Sequence, residues 1–314
     1  MPRLNIELER AALSHADFVG ELYRLALRRD PEPGALAEAV TRLDAGTLSR
    51  ATLIRDLVES EEFDRLRALD DAVAFAAWAR KAGERPRELR ARPNTDERAI
   101  EIAWCLSRYR GEPRVLDVGY AFADPVYLAS LLNLGASSLV GVDLADADVP
   151  QLRGVQADVR DLPFEARSFD VVFCISTIEH VGADNERYGS ATERDGMREG
   201  LSELRRVGER VLLTVPCGEP EDHGWFVQDE PDAWRARFRQ AGFVIFEDEA
   251  YELAPEGWRS APAFAPAGVR YGERGPGASA VLCVELRPRT PGRVMRQSAR
   301  GIRSRSARVF KRKR

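Results

Sequence analysis

The feature that most constrains the fold is a regular alternation of short β-rich runs with helical runs, from Arg114 to Glu285. Seven runs are rich in β-branched or aromatic residues and are predicted to be strands: 115–118, 138–142, 155–157, 169–175, 210–215, 243–246 and 280–285. Strands that alternate with helices favour a mostly parallel sheet with helices on both faces. We therefore predict a doubly wound α/β domain with a seven-stranded sheet over residues 94–288. Ligands of such sheets bind beyond the carboxyl ends of the strands.

Acidic residues follow the first three predicted strands at this edge. Asp117 lies near the end of the first strand, and Gly119 then lets the backbone turn tightly beneath a ligand. Asp143 ends the second strand, where a carboxylate can accept hydrogen bonds from ribose hydroxyls. Asp158 follows the third strand and can accept a hydrogen bond from an adenine amine. The set is typical of a nucleoside site, and capping of the following helices is the alternative interpretation.

Neighbouring residues complete the predicted cofactor site. They are Tyr120, Ala121, Leu144, Val159 and Ile175. A dinucleotide-binding domain is the nearest alternative, and it would require G-x-G-x-x-G after the first strand to hold a pyrophosphate. The corresponding positions are Gly119, Ala121 and Asp124, and Asp124 would place a carboxylate against the phosphates. The sequence therefore disfavours a dinucleotide.

The order of these motifs resembles that of the class I S-adenosylmethionine-dependent methyltransferases. The glycine loop of that family reads Asp/Glu-x-Gly-x-Gly, and residues 117–121 read Asp-Val-Gly-Tyr-Ala, with Ala121 in place of the second glycine. Further matching segments are 161–164, 168–174, 179–181, 205–207 and 211–216. The resemblance implies a methyltransferase whose cofactor is S-adenosylmethionine.

Two histidines lie on the side where the methyl acceptor is expected. His180 follows the fourth predicted strand and His223 follows the fifth. A hydroxyl acceptor must lose its proton as it is methylated, and histidine is the usual base near neutral pH. We predict that one of the two is the catalytic base, oriented by Glu179 or Asp222. For each histidine, a purely structural role is an equally favoured alternative. The residues predicted to contact the substrate are Glu179, Tyr188, Asp222 and Trp225, and no metal site is predicted.

Residues 13–65 show three apolar stripes at helical spacing, separated by turns. The segments 18–23, 29–34, 46–50 and 60–63 resemble a small bacterial helical domain of unknown function that is similar to phycobilisome linkers. That domain occurs on surface proteins and glycan-modifying enzymes, so the resemblance implies protein docking. The predicted domains are a helical module at 1–66, a helical linker at 67–93, the methyltransferase domain at 94–288 and a basic tail at 289–314.

Charge is distributed unevenly along the 314 residues. From Leu286 onward there are 12 Lys or Arg and no acidic residue, so the net charge of −4 divides into −16 for the body and +12 for the end. An acidic body argues against a nucleic-acid partner. In the tail, Met295, Ile302 and Val309 are seven residues apart, which fits a helix on an anionic membrane, contact with an acidic polymer or a tail without structure.

These patterns together predict a cytoplasmic enzyme, with the inner face of the membrane as the place that the tail would favour. No secretory signal or membrane-spanning run is recognisable. The favoured reaction is methylation of a hydroxyl on a small-molecule or glycan acceptor, because the Asn/Asp-Pro-Pro-Tyr/Phe signature of amine methylation does not follow the fourth strand. The alternatives are methylation of a lipid, quinone or polyketide, and a non-catalytic scaffold.

Overall fold

The structure, a computed structural model, describes residues 13–184, 192–193, 195–262 and 265–289. Its first four helices are α1 (His15–Leu27), α2 (Pro33–Asp44), α3 (Arg50–Val58) and α4 (Glu61–Ala82). Three of them begin at a serine, because the hydroxyls of Ser14, Ser49 and Ser60 each accept a hydrogen bond from a first-turn amide. The apolar faces of these helices enclose a small core that includes Phe18 and Leu22.

Helix α4 joins these helices to the rest of the chain. Its 22 residues run without a break across the boundary predicted at residue 66. Leu69 and Ala76 of α4 are buried in one core cluster with residues of α5 (Arg98–Ser107). The helix ends at Gly83, and an irregular connection leads from there to α5. The helical module is therefore attached through a packed helix along much of the predicted linker.

The strands of the second part are β1 (Arg114–Val118), β2 (Ser138–Asp143), β3 (Arg153–Gln156), β4 (Val171–Ile175), β5 (Val211–Pro216), β6 (Glu221–Asp222), β7 (Val227–Gln228), β8 (Phe243–Ala254), β9 (Gly257–Ala261) and β10 (Ala280–Pro288). The central sheet has the order β3-β2-β1-β4-β5-β10-β8-β9, and β6 and β7 form a separate hairpin. Pairing is parallel from β3 to β5, whereas β10 is antiparallel to both β5 and β8. The predicted doubly wound, mostly parallel fold is confirmed.

The sheet contains eight strands rather than seven, because β8 continues beyond its predicted end and pairs with β9. The polar residues Glu247, Asp248 and Glu249 concealed this extension in the sequence. Inside the fold, Arg108 binds both glutamates and Arg235 binds the aspartate, so the acidic side chains have cationic partners. The third strand also begins two residues earlier than predicted.

Helices cover both faces of this sheet. Helices α4, α5 and α6 (Pro125–Leu132) pack on one face, and α7 (Gly196–Val207) and α8 (Pro231–Gln240) pack on the other. The central strands β1, β4 and β5 are almost wholly buried between the two layers. Their carboxyl ends consequently meet at one edge. Within the described part of the chain, no helix combines the length and the apolar character that a membrane span requires.

Candidate functional site

A cavity of about 600 Å³ opens at the carboxyl ends of β1, β2 and β4. Most of the predicted cofactor residues line it: Asp117, Gly119, Asp143, Leu144, Asp158, Val159 and Ile175. His180 and Trp225, which were predicted for the acceptor side, line it as well. The fold therefore brings together residues that are more than one hundred positions apart in the sequence.

The loop after β1 runs directly beneath the cavity. Gly119 has φ of +93°, and a Cβ at this position would meet Thr177 Oγ1 at 2.4 Å, so only glycine fits. Ala121 stands where the family has its second glycine, but it is absent from the described residues with positive φ. Its backbone therefore accepts a side chain without strain, and the methyl group does not distort the loop.

Asp143 is held at the end of β2 by the backbone. The amides of Ala121 and Ala145 each donate a hydrogen bond of 3.0 Å to one of its carboxylate oxygens. Each oxygen retains a second lone pair, so the carboxylate can also accept from a ribose diol. Asp117, by contrast, is fully buried, and burial raises its pKa to about 7. The Tyr127 hydroxyl donates a hydrogen bond to the Asp117 carboxylate.

Tyr120 and Ala121 are absent from the cavity lining, and Asp158 lines the cavity with a partner already in place. The Tyr120 side chain is buried, its hydroxyl donates to the Ala147 carbonyl at 2.9 Å, and its ring lies against Gly141, so it supports the loop instead of lining the cavity. Asp158 lines the cavity as predicted, but its carboxylate already accepts hydrogen bonds from the Arg160 guanidinium at 2.6 to 3.0 Å. An adenine amine would share this carboxylate with Arg160.

A polar cluster on α5 was missed in the sequence. Arg98 lines the cavity, and its Nη1 lies 3.5 Å from Glu101 Oε2. Glu101 is fully buried and accepts a 2.7 Å hydrogen bond from Ser176 at the end of β4. Burial raises the pKa of Glu97 to about 8, and its Oε2 accepts from the Ala278 amide. The cluster places one guanidinium among carboxyl groups that burial inclines to protonation.

His180 lies in a short 3₁₀ turn (Ile178–His180) that follows β4. Its Nδ1 is 2.9 Å from the Trp225 carbonyl oxygen, which can only accept, so Nδ1 carries the proton and Nε2 of the neutral ring carries the lone pair. Nε2 is 3.9 Å from Glu179 Oε1. Glu179 is fully buried, its Oε2 has no hydrogen-bond partner among the described residues, and burial raises its pKa to about 8.

The other acceptor-side residues lie elsewhere or outside the described residues. His223 is absent from the residues that line the cavity; its ring stacks on Phe226 with a centroid separation of 4.3 Å. Asp222 is exposed and accepts from the Gly224 amide, which stabilises the β6–β7 hairpin. Tyr188 lies outside the described residues. His180 is therefore the histidine that the cavity brings next to the predicted cofactor residues.

The cavity fits S-adenosylmethionine in charge and in hydrogen-bonding capacity. Asp143 offers acceptors for the ribose hydroxyls, and Arg98 offers a cation for the amino-acid carboxylate. Gly119 lets the loop backbone pass against Thr177, another residue that lines the cavity. The carboxylates of Asp117, Asp124 and Asp143, which line the same cavity, disfavour a triphosphate or pyrophosphate at this edge.

The strand order, the antiparallel strand after β5 and the glycine turn between strand-end carboxylates define the class I methyltransferase fold. Residues 116–195 match the family model of a methyltransferase domain. Residues 6–67 match the domain of unknown function DUF4214. The chain therefore contains a class I methyltransferase domain, whose cofactor is S-adenosylmethionine, with a DUF4214 module before it.

Individual relatives are distant. The tRNA U34 carboxymethyltransferase of Methylococcus capsulatus is 29% identical over 169 residues, which are 46% of this chain. The chain spans about half of that relative, 51% of its length. The 1,6-didemethyltoxoflavin-N1-methyltransferase of Burkholderia thailandensis, solved with S-adenosylhomocysteine, is 15% identical over 86% of this chain and 91% of its own, with a TM-score of 0.41. A Pyrococcus horikoshii protein is 14% identical over 62% of this chain and 90% of its own, with a TM-score of 0.40.

Proposed function

We propose that this protein transfers a methyl group from S-adenosylmethionine to a hydroxyl group, with a sugar or a glycan precursor as the acceptor. The observation that carries the proposal is the state of His180, whose ring lines the cofactor cavity and whose Nε2 holds a lone pair. When bound, the cofactor supplies an electrophilic methyl group together with its leaving group. The residues of the chain then have to align the acceptor and remove its proton.

His180 takes that proton at Nε2. The hydrogen bond from Nδ1 to the Trp225 carbonyl fixes the tautomer and the ring orientation, and it stabilises the imidazolium that forms. Burial raises the pKa of the nearby Glu179 to about 8, so its carboxyl group is largely neutral at neutral pH. A neutral Glu179 does not hold the imidazole in its charged form before the reaction, and His180 keeps its basic lone pair.

Trp225 supports a carbohydrate acceptor. Its side chain lines the cavity, is 49% exposed, and has its ring centroid 4.9 Å from that of His180. An aromatic face at this place can stack on the C–H face of a sugar while the neighbouring histidine meets a hydroxyl. The N-terminal module adds support, because it resembles modules attached to glycan-modifying enzymes.

The name of the Methylococcus capsulatus relative favours a different acceptor, the U34 base of a tRNA. Two facts weigh against carrying that acceptor over to this chain. The match covers about half of each protein. The residues before Leu286 have a net charge of −16, and such a surface repels a polyanion.

The first test is calorimetric titration with S-adenosylmethionine and S-adenosylhomocysteine. We expect Asp143→Ala to weaken binding by roughly a hundredfold, because charge-assisted hydrogen bonds to the ribose are lost. Asp146→Ala removes an exposed carboxylate from the following loop and should bind like the wild type. Absence of binding to folded wild-type protein would contradict the cofactor assignment.

The second test identifies the acceptor by transfer of a labelled methyl group. The panel contains monosaccharides, nucleotide sugars, quinones, polyketides and tRNA. Label on a sugar hydroxyl supports the proposal. Label on a quinone, a polyketide or tRNA with every sugar unlabelled overturns the acceptor class. Cofactor binding without transfer to any acceptor would leave the scaffold function as the better description.

A further inference from the structure

A second cavity, of about 570 Å³, lies at the edge of the sheet opposite to the cofactor cavity. It forms where α4 and α5 end, shortly before β1 begins. Its charged lining residues, among those that the structure describes, are Arg80, Lys81, Arg85, Arg108, Arg110 and a single carboxylate, Glu84. We name this cavity the basic cleft.

The cations of the basic cleft are only partly neutralised. Arg108 and Arg110 pair with carboxylates of β8 and β10 at 3.1 and 2.7 Å. Arg85 is 39% exposed, and its nearest carboxylate oxygen is 3.8 Å away. Arg80 and Lys81 have no carboxylate within ion-pair distance in the described part of the chain. The cleft thus holds positive charge that the fold itself does not cancel.

The positive charge continues along the connection that follows the cleft. Between residues 80 and 92 the chain has six Lys or Arg against two glutamates. Arg87 and Arg90 are exposed, and neither forms an ion pair with a described residue. Capping of helix ends explains Arg80, whose Nη1 donates to the Leu106 carbonyl. It does not explain Lys81, Arg87 or Arg90, so these cations are available to a partner.

Apolar side chains adjoin the basic cleft. Phe246 and Val244 on β8 are 44% and 37% exposed. The Arg287 guanidinium lies 3.5 Å from the centroid of the Phe246 ring. Glu247, the next residue of β8, lies 3.8 Å from Arg85 of the cleft, so the exposed apolar residues are close to the basic cleft in the fold. Aromatic rings beside arginines are typical of contacts with the interface of a lipid bilayer.

The basic tail leaves the domain at the same place. The Arg289 amide donates a 2.9 Å hydrogen bond to the Gly242 carbonyl, directly before β8 begins. Residues 290–314 contain ten further Lys or Arg and no acidic residue. Arg289, the last described residue before these cations, therefore lies at the same edge of the sheet as the basic cleft.

We propose that this edge is a docking surface for a membrane that contains anionic phospholipids. Clusters of Lys and Arg bind anionic headgroups, and exposed apolar side chains beside them add contact with the bilayer interface. A bilayer meets one face of the protein, so the acidic remainder with its net charge of −16 stays away from it. A folded nucleic acid presents charge around its whole surface and gains little from Val244 and Phe246.

The test is flotation of the full-length protein with vesicles of phosphatidylcholine, with and without phosphatidylglycerol. We expect binding only to the anionic vesicles, and we expect it to weaken as salt is raised. A variant with Lys81→Glu, Arg85→Glu and Arg87→Glu should partition roughly a hundredfold less strongly, because each cation near an anionic surface contributes severalfold. All three side chains are exposed, so the variant should fold, which thermal unfolding verifies.

A matched control reverses the same number of charges elsewhere, with Arg42→Glu, Arg55→Glu and Arg198→Glu on α2, α3 and α7. We expect it to bind anionic vesicles severalfold better than the cleft variant. If both variants lost vesicle binding equally, the net charge of the protein would explain the loss, and the proposed docking surface would be wrong. Unchanged binding of the cleft variant would assign the contact to the tail alone and overturn it as well. Binding of tRNA by the wild type, lost in the cleft variant while vesicles do not bind, would replace the membrane with a nucleic acid.

Discussion

The two edges of the central sheet carry opposite charges, although the same strands run between them. At the carboxyl edge, four aspartates and two arginines line the cofactor cavity. At the amino edge, five cations and one carboxylate line the basic cleft. The difference separates a site for a ligand with cationic and hydroxyl groups from a surface that attracts anions. Cofactor binding and the proposed membrane docking would therefore use separate edges of the sheet and would not compete.

Helix direction gives a physical reason for this separation. Helix α6 begins at the carboxyl edge, where the Asp124 side chain accepts from the Val126 amide. Helices α4 and α5 end at the amino edge, where their last carbonyls attract cations such as Arg80. Helix amino ends favour anions and carboxyl ends favour cations. The following predictions test whether each edge acts independently of the other.

The largest expected effect is on turnover and belongs to the cofactor edge. His180→Ala should lower methyl transfer by roughly 10²- to 10⁴-fold at neutral pH, because the acceptor loses its base. Affinity for S-adenosylhomocysteine and binding to anionic vesicles should stay at the wild-type level. Single-turnover kinetics with a labelled methyl group, calorimetry and flotation measure the three quantities.

His223→Ala is the matched control for this prediction. The His223 ring stacks on Phe226 and does not line the cavity, so most of the turnover should survive. If His223→Ala lost as much turnover as His180→Ala, the base would not be assignable to His180 on geometry.

The next effect concerns the loop that carries the cofactor. Gly119→Ala should weaken cofactor binding by roughly tenfold to a hundredfold, because a side chain at φ +93° is strained and meets Thr177. Ala121→Gly changes the neighbouring loop position without a steric conflict and should bind as the wild type does. Calorimetry on both variants decides. Equal affinities would mean that the loop can move away from Thr177, and the close backbone approach would then be wrong.

The carboxyl edge was predictable from sequence to the extent that its residues follow strands directly. Asp117 and Asp143 stand at the ends of apolar runs, so the strand pattern alone placed them in the cavity. Arg98 and Glu101 gave no such signal, because they lie on a helix before the sheet and meet Ser176 only after folding.

The amino edge was less predictable for the same reason. Its cations come from the ends of α4 and α5 and from the connection between them, most of which lies in the predicted helical linker at 67–93. Strand β8 is longer than predicted, because its acidic residues resemble a loop in the sequence. Their cationic partner Arg108 is distant in the chain and gives no local signal. The basic cleft and the length of β8 both depend on contacts between residues that are distant in the chain, and local sequence patterns do not predict such contacts.

A smaller expected effect is a pH dependence of the protein's stability that comes from the cofactor edge and not from the basic cleft. Burial raises the pKa of Glu97 and Glu179 to about 8, whereas an unfolded glutamate titrates at about 4.3. The folded state therefore binds more protons between these values, and its stability decreases as the pH rises towards about 8. We expect the melting temperature to fall over this range, and Glu179→Gln should reduce the fall by roughly 5 °C.

Thermal unfolding at a series of pH values measures this, with Glu165→Gln as a control at an exposed position. Arginine and lysine do not titrate in the same range, so vesicle binding through the basic cleft should not follow the change in stability. Parallel profiles for Glu179→Gln and the wild type would contradict the buried, protonated state of Glu179.

The smallest expected effect tests whether the DUF4214 module reaches the cofactor edge. Arg28, at the end of α1, pairs with Asp70 of α4, and its Nη1 lies 3.6 Å from Asp124 Oδ1. Asp124 lines the cavity and caps α6, so the module touches the wall of the cofactor site. Arg28→Gln removes the charge while keeping much of the length of the side chain. We expect the dissociation constant for S-adenosylhomocysteine to rise by about two- to fivefold, as for a partly exposed ion pair.

Arg42→Gln, an exposed position on α2 of the same module, is the control and should leave the constant unchanged. Calorimetry at low and high salt separates the two variants, because screening should shrink the Arg28 effect and leave the control flat. If Arg28→Gln bound the cofactor as tightly as the wild type at both salt concentrations, the module would be energetically independent of the carboxyl edge. The opposite charges of the two sheet edges would then be a property of the methyltransferase domain alone. A measurable loss would instead make the module part of the cofactor site, acting through Asp124 at the start of α6.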